Sequence, residues 1–217
     1  MRRLSTIALL LAVAVRLMAI PYDARRDSTH YIDGTRIYPD TVIYQGMNLK
    51  LDIGSAILAP ATSRGRIWDA GIAMNWRLKF RFYPTLELGY SRMAGYSDSL
   101  YHSGQGGYAR IGIDINGLKK SQKKLDALLV GVRVCTAGQD YQLTGYPHKF
   151  RWDCWGEVVF GCQVQIIAGF TMGWAARMKY LFTEKPYGPI PEPAYIPGFG
   201  EFKSLNWGFS YYVGYKF

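Results

Sequence analysis

Toward the end of the chain, apolar and polar side chains alternate. Leu205, Trp207, Phe209, Tyr211, Val213, Tyr215 and Phe217 occupy every second position, and Asn206, Gly208, Ser210, Tyr212, Gly214 and Lys216 fall between them. Successive residues of a strand point to opposite faces, so this period of two predicts one strand with a greasy face and a polar face. The pattern recurs upstream. Met47, Leu49, Leu51 and Ile53 alternate with Asn48, Lys50, Asp52 and Gly54, and Ala70, Ile72, Met74, Trp76 and Leu78 alternate with Asp69, Gly71, Ala73, Asn75 and Arg77. Five further segments read the same way, with Glu87, Arg110, Asp114, Arg133, Glu157, Arg177 and Lys179 on their polar faces; they centre on 86–91, 109–116, 128–135, 157–164 and 170–179.

Short connections, near 79–81 and 166–167, alternate with longer ones, at about 57–66, 94–107, 136–152 and 182–203. That rhythm predicts an all-β fold, an eight-stranded antiparallel up-and-down barrel. The segment 117–126 is long for its class.

Alternation does not say which face is inside. A soluble barrel of lipocalin type, with its apolar face inward, is the alternative to a transmembrane β-barrel. Nearly every polar face carries a glycine, namely Gly54, Gly71, Gly89, Gly112, Gly131, Gly161, Gly173 and Gly214, as a narrow lumen crowded with long side chains requires. The same faces carry both charge signs. Turned inward, Lys50, Asp52, Asp69, Arg77, Glu87, Arg110, Asp114, Arg133, Glu157 and Arg177 can form an ion-pair network, for example Glu87 with Arg110 or Arg133. Trp68, Trp76, Tyr83, Tyr90, Tyr180, Trp207 and Tyr215 gather near strand ends, as interfacial aromatic girdles do. The apolar faces are therefore expected to meet lipid. No stretch after the first 19 residues reaches the roughly 18 apolar residues of a spanning helix.

The N-terminus changes the compartment. Arg2 and Arg3 precede an apolar run from Ile7 to Val15, and Leu17-Met18-Ala19 precedes a polar stretch, the layout of a secretory signal. Residues 1–19 are expected to be a signal peptide, 20–42 a periplasmic lead-in without periodicity, and 43–217 the barrel. Removing the signal takes away three arginines and no acids, which lowers the net charge from +10 to +7. Export takes nucleic acid out of the list of partners for a basic chain. Cys135 and Cys154 lie on neighbouring segments but on opposite faces, which argues against a disulfide; Cys162 reads as a small apolar residue.

Phe217 in last place, with Tyr215, Val213, Tyr211 and Phe209 on one face, resembles the C-terminal signature of bacterial outer-membrane β-barrel proteins. The resemblance implies a Gram-negative outer-membrane location, contact with outer-membrane lipids, and recognition of the last strand by the barrel assembly machinery. The stretch "AYIPGFG", Ala194 to Gly200, is similar to a loop in a family of small outer-membrane barrels of unknown function.

Candidate chemistry is sparse. No cofactor, metal or catalytic motif is legible. An anion path through Arg110, Arg133 and Arg177 stands against a salt-bridged plug, the reading favoured by an interior only wide enough for side chains. Outer-membrane enzymes that act on lipids pair a serine with a histidine near the outer rim; here His102, Ser97, Ser99 and Ser103 fall in the second long connection and His148 in the third. The last connection carries Pro186, Pro189, Pro191, Pro193 and Pro197 with Tyr187, Tyr195 and Phe199 between them. It is either a stiff cap over the barrel mouth or a rigid recognition surface built on those aromatics. Lys119, Lys120, Lys123 and Lys124 would face the periplasm. A structural or loop-mediated binding role is the expectation, with a lipid-modifying enzyme as the alternative and the external ligand unknown.

Overall fold

The computed structural model describes residues 31–32, 35–36, 44–78, 81–97, 100–118, 126–167, 169–183 and 193–216. The expected signal peptide, most of the lead-in, the four lysines of 119–124, Ser99, Tyr187 and Phe217 lie outside them.

Two residues of the lead-in on each side, β1 (Tyr31–Ile32) and β2 (Thr35–Arg36), form a small antiparallel ladder. Then come β3 (Tyr44–Asp52), helix α1 (Ile53–Thr62), β4 (Ile67–Leu78), β5 (Phe82–Ser97), β6 (Leu100–Asn116), β7 (Ala127–Leu143), β8 (Lys149–Ile167) and β9 (Phe170–Leu181). A second small ladder, β10 (Tyr195–Ile196) with β11 (Gly200–Glu201), lies in the last connection before β12 (Leu205–Lys216). Strands β3 to β9 and β12 form a closed barrel in which each pairs with its sequence neighbours and β12 closes between β9 and β3. The fold is the eight-stranded antiparallel up-and-down barrel that the alternation predicts.

Register shows how far the strands are staggered. From Leu205 the paired residues run through Tyr180, Gly156, Val134, Ile111, Leu86, Met74 and Leu49 and return to β12 at Tyr215, ten residues further along. A stagger of this size tilts the strands and leaves a lumen that side chains alone can fill. The polar faces point into it: Glu87, Arg110, Asp114, Arg133, Glu157, Arg177 and Lys179 are all buried. Outward residues such as Ile111 and Val134 are each 65% exposed. Tyr83 departs from the aromatic girdle expected of it. Its odd position on β5 points inward, and it is buried with Ala127 and Leu129.

β3 stops two residues early. Asp52 accepts a hydrogen bond from the Ser55 N–H at Oδ1, 3.0 Å, capping a helix where the alternation predicts Ile53 and Gly54 as strand. The alanine-rich stretch "IGSAILAPAT" supplies that helix. β12 pairs with β3 only from Tyr212 onward, and β4 only up to Gly71. Helix α1 packs against both strands beyond those points and completes the wall there. Its first turn passes so close to β12 that a Cβ on Gly54 would lie 2.5 Å from the Tyr211 nitrogen.

Two of the four expected long loops are mostly strand. β5 and β6 continue to Ser97 and Leu100, and β7 and β8 to Leu143 and Lys149. Outward positions there are Arg92, Tyr96, Tyr101 and Gln105, so the apolar alternation ends while backbone pairing goes on. Hydropathy patterning reads the apolar belt and not the whole strand. Parity does hold for the cysteines: Cys135 is buried in the lumen, Cys154 is exposed opposite Thr136, and all three are free.

Lumen glycines are steric necessities. A Cβ on Gly131 would lie 1.9 Å from Asp114 Oδ1, and one on Gly89 would lie 2.1 Å from Cζ of the Tyr108 ring. Gly131→Val is therefore expected to push Asp114 off its arginine and cost about 3 kcal/mol or more. The readout is the urea midpoint of the far-UV circular-dichroism unfolding transition; an unchanged midpoint contradicts the steric role.

Candidate functional site

The charged layer of the lumen is built around one carboxylate. Glu87, in mid-β5, receives Arg133 Nε at Oε1 (3.1 Å), Arg110 Nη1 at Oε2 (3.1 Å) and Arg177 Nη2 at Oε2 (2.9 Å). These arginines come from β6, β7 and β9, so a single side chain ties together strands on opposite sides of the barrel. Glu157, on β8, takes the second arm of two of them: Arg177 Nη1 at 2.9 Å and Arg110 Nε at 3.2 Å. The Trp155 indole also donates to Glu157, at 2.7 Å. Asp114 is held by a two-pronged Arg133 contact at 2.7 and 2.9 Å. Arg177 further donates to the Tyr212 hydroxyl.

The other expected lumen charges have separate duties. Asp52 caps α1, and Asp69 accepts from the Tyr108 hydroxyl at 2.8 Å. Lys179 donates to the backbone of the last connection, Lys50 lies 5.8 Å from the centre of the Tyr212 ring, and Arg77 sits nearer the short-turn end of β4.

Above this layer the chain folds back into its own mouth. Ile196 and Phe199 are 0% exposed, and Phe199 meets Trp155 edge to face with ring centres 5.7 Å apart. The Gly198 carbonyl accepts from Arg110 Nη2 and from Lys179 Nζ, both at 2.7 Å. Gly198 has φ +72°, and a Cβ there would lie 2.6 Å from the Tyr108 ring, so the residue suits both the turn and the contact. Arg151 stacks over Phe202 at 4.8 Å.

The stiff-cap reading of the last connection matches this geometry, and the recognition reading loses Phe199. Expected as an exposed aromatic, Phe199 is instead sealed inside the barrel because its ring fills the space beside Trp155. Tyr195 is only partly exposed; its hydroxyl accepts from Ser91 Oγ at 3.4 Å, and burial pushes its phenol pKa up. On β12, Phe209 and Tyr215 point outward and pack against Trp174 and Phe170, with Tyr211 and Val213 on the same face.

By register, Ser97 lies two positions along β5 from Gly95, the residue that pairs with His102. His102 and Ser103 are consecutive on β6 and so point to opposite faces. His148 is exposed in the 144–148 connection, its Nδ1 3.7 Å from Asp140 Oδ2.

Several residues of the site were not legible as such in the sequence. Trp155, Tyr108 and Gln139, whose buried Nε2 donates to Asp153 Oδ2 at 3.3 Å, lie at lumen parity but above the apolar belt, where no alternation marks the strand. Extending the parity of β6, β7 and β8 beyond the belt is the signal that would have found them.

Residues 4–217 match a family described as Domain of unknown function (DUF6048). The chain belongs to that family. No curated protein and no solved structure matches this DUF6048 chain. Its lumen and cap must therefore be interpreted from their own geometry.

Replacing Glu87 with Gln removes the charge that three buried guanidinium groups share. The expected cost is about 3–5 kcal/mol, as for other broken buried pairs. It is measured as a lower urea midpoint of the far-UV circular-dichroism unfolding transition. A Gln variant as stable as the native chain contradicts the central role of Glu87.

Proposed function

We propose that this protein is an exported outer-membrane β-barrel of Gram-negative bacteria with a structural or interaction role, its lumen plugged against solute flow. One observation carries the reading: a belt of exposed apolar side chains surrounds a barrel whose mid-strand charges face inward. Leu51, Ile72, Leu88, Ile111, Val134, Phe160, Val164 and Phe209 belong to that belt, with Trp68, Trp152 and Trp207 also exposed. Apolar patches on soluble monomers rarely exceed a few hundred Å², and a continuous belt of this kind suits lipid. Among the described residues no helix is long and apolar enough to cross a membrane. Outer-membrane lipids are then its permanent partners and the barrel assembly machinery its partner during insertion, through the β12 face and Phe217.

The plug reading follows from the commitments of the arginines. Arg110, Arg133 and Arg177 each hold carboxylates, and the cap closes the mouth above them. A through-going anion path needs those contacts broken. The surface offered to partners is the rim of extended β5–β8 strands, where Tyr96 and Tyr101 pack together, as do Phe150 and Trp152.

Fractionation provides the first test. The protein is expected in the outer-membrane fraction, to migrate faster in gels when unboiled, and to show no stepwise conductance in planar bilayers. A water-soluble chain without the gel shift rejects the location, and a steady conductance rejects the plug. The enzyme alternative has its own test. Replacing His102 and His148 with alanine is expected to leave lipid A and phospholipid profiles unchanged; a lost lipid species in either variant establishes the enzymatic reading instead.

A further inference from the structure

Below the ion-pair layer, toward the short-turn end, the lumen holds a cavity of about 30 Å³ lined in part by Lys50, Asn75, Thr85, Gln163 and Thr171. Beyond it, Asn48 Nδ2 bonds Gln163 at 3.1 Å and Thr171 at 3.2 Å and narrows the lumen. The Asn75 side-chain amide nitrogen is enclosed and has no hydrogen-bond acceptor, and the residue is 3% exposed. The Lys50 ammonium makes no ion pair with a carboxylate among the described residues and lies 5.8 Å from the centre of the Tyr212 ring.

The nearby carboxylates are each committed to another group. Asp114 spends both oxygens on Arg133 and receives Thr85 Oγ1 as well, at 3.2 Å, while Glu87 is surrounded by three arginines. Asp52 and Asp69 are engaged by the α1 N-terminus and by Tyr108. Among the ionisable side chains that line the cavity, Lys50, Arg133 and Arg177 oppose only Glu87 and Asp114. Positive charge is in excess there, and an ammonium partly withdrawn from water without a counter-charge is costly. The space admits about two water-sized particles and excludes a tetrahedral oxyanion with its five heavy atoms.

We propose that this cavity binds one small monovalent anion of halide size, held by Lys50 Nζ and Asn75 Nδ2. The ion neutralises the leftover ammonium and supplies the acceptor that the Asn75 amide lacks. The ion-pair layer blocks the lumen above it, so it is a resident of the folded barrel and not a permeant species. The site rests on lumen geometry and does not depend on where the barrel resides in the cell.

The probe is bromide. For the purified full-length barrel in detergent, the thermal unfolding midpoint in sodium bromide is expected to exceed that in sodium gluconate of equal ionic strength. The rise grows with the logarithm of bromide concentration and reaches roughly 3–6 °C at a tenfold excess over the dissociation constant. The difference should vanish in Lys50→Met and in Asn75→Ala. Because either variant can fail to fold, crystals of the unaltered protein soaked in bromide give an independent readout, with anomalous density expected between Lys50 and Asn75. Equal midpoints in the two salts, a folded variant that keeps the full bromide effect, or a cavity without anomalous signal overturns the proposal and leaves water as the occupant. A chain found outside the outer membrane that still shows the bromide signal rejects the location and not the site.

Discussion

Everything in the interior is arranged around the need to bury Glu87 among Arg110, Arg133 and Arg177. A charge taken out of water is tolerable only when it is paired and its hydrogen-bonding capacity is met. Here a single carboxylate draws guanidinium groups from three strands, and Glu157 and Asp114 occupy the arms that Glu87 leaves over. The demand propagates outward. Long side chains crossing a narrow lumen need gaps opposite them, so Gly131 faces Asp114 and Gly89 faces Tyr108. The cap is bound by the same logic, because the Gly198 carbonyl provides acceptors for donors on Arg110 and Lys179 that the carboxylates do not use.

The wall itself is not uniform. Seven strands run long, whereas β3 ends at Asp52 and hands its place to α1. The exchange depends on two local features: an aspartate positioned to cap the helix and a glycine where the helix brushes β12. A shortened strand leaves backbone groups of its neighbours without ladder partners, so the wall needs a covering element there. With Ile57 and Leu58 exposed, the helix also presents an apolar surface where the strand's own would have been.

Much of this was legible from alternation. Parity alone assigned Glu87, Arg110, Asp114, Arg133, Glu157 and Arg177 to one face, and all six are buried in the lumen. It also kept Cys135 away from Cys154. It failed where the signal itself was missing. On β5 and β6 the outward residues above the belt turn polar or aromatic, so 94–107 reads as a loop although every described residue in it is strand. Tyr83 was misassigned because an aromatic near a strand end looks alike on either face until its parity is counted. Phe199 was misread because proline-rich sequence says that a connection is stiff without saying which way it folds.

By itself, the sequence determined the strand count, the up-and-down order, and the sorting of charges to one face and apolar residues to the other, because a period of two is a local property of the chain. Which arginine meets which carboxylate was decided only in three dimensions. The ten-residue stagger of the closed barrel brings Glu87 within reach of Arg177, 90 positions away. The same holds for the cap, the helix in the wall and the enclosed space beside Lys50. Each depends on the shape left over once eight strands have closed, and no local pattern encodes that remainder.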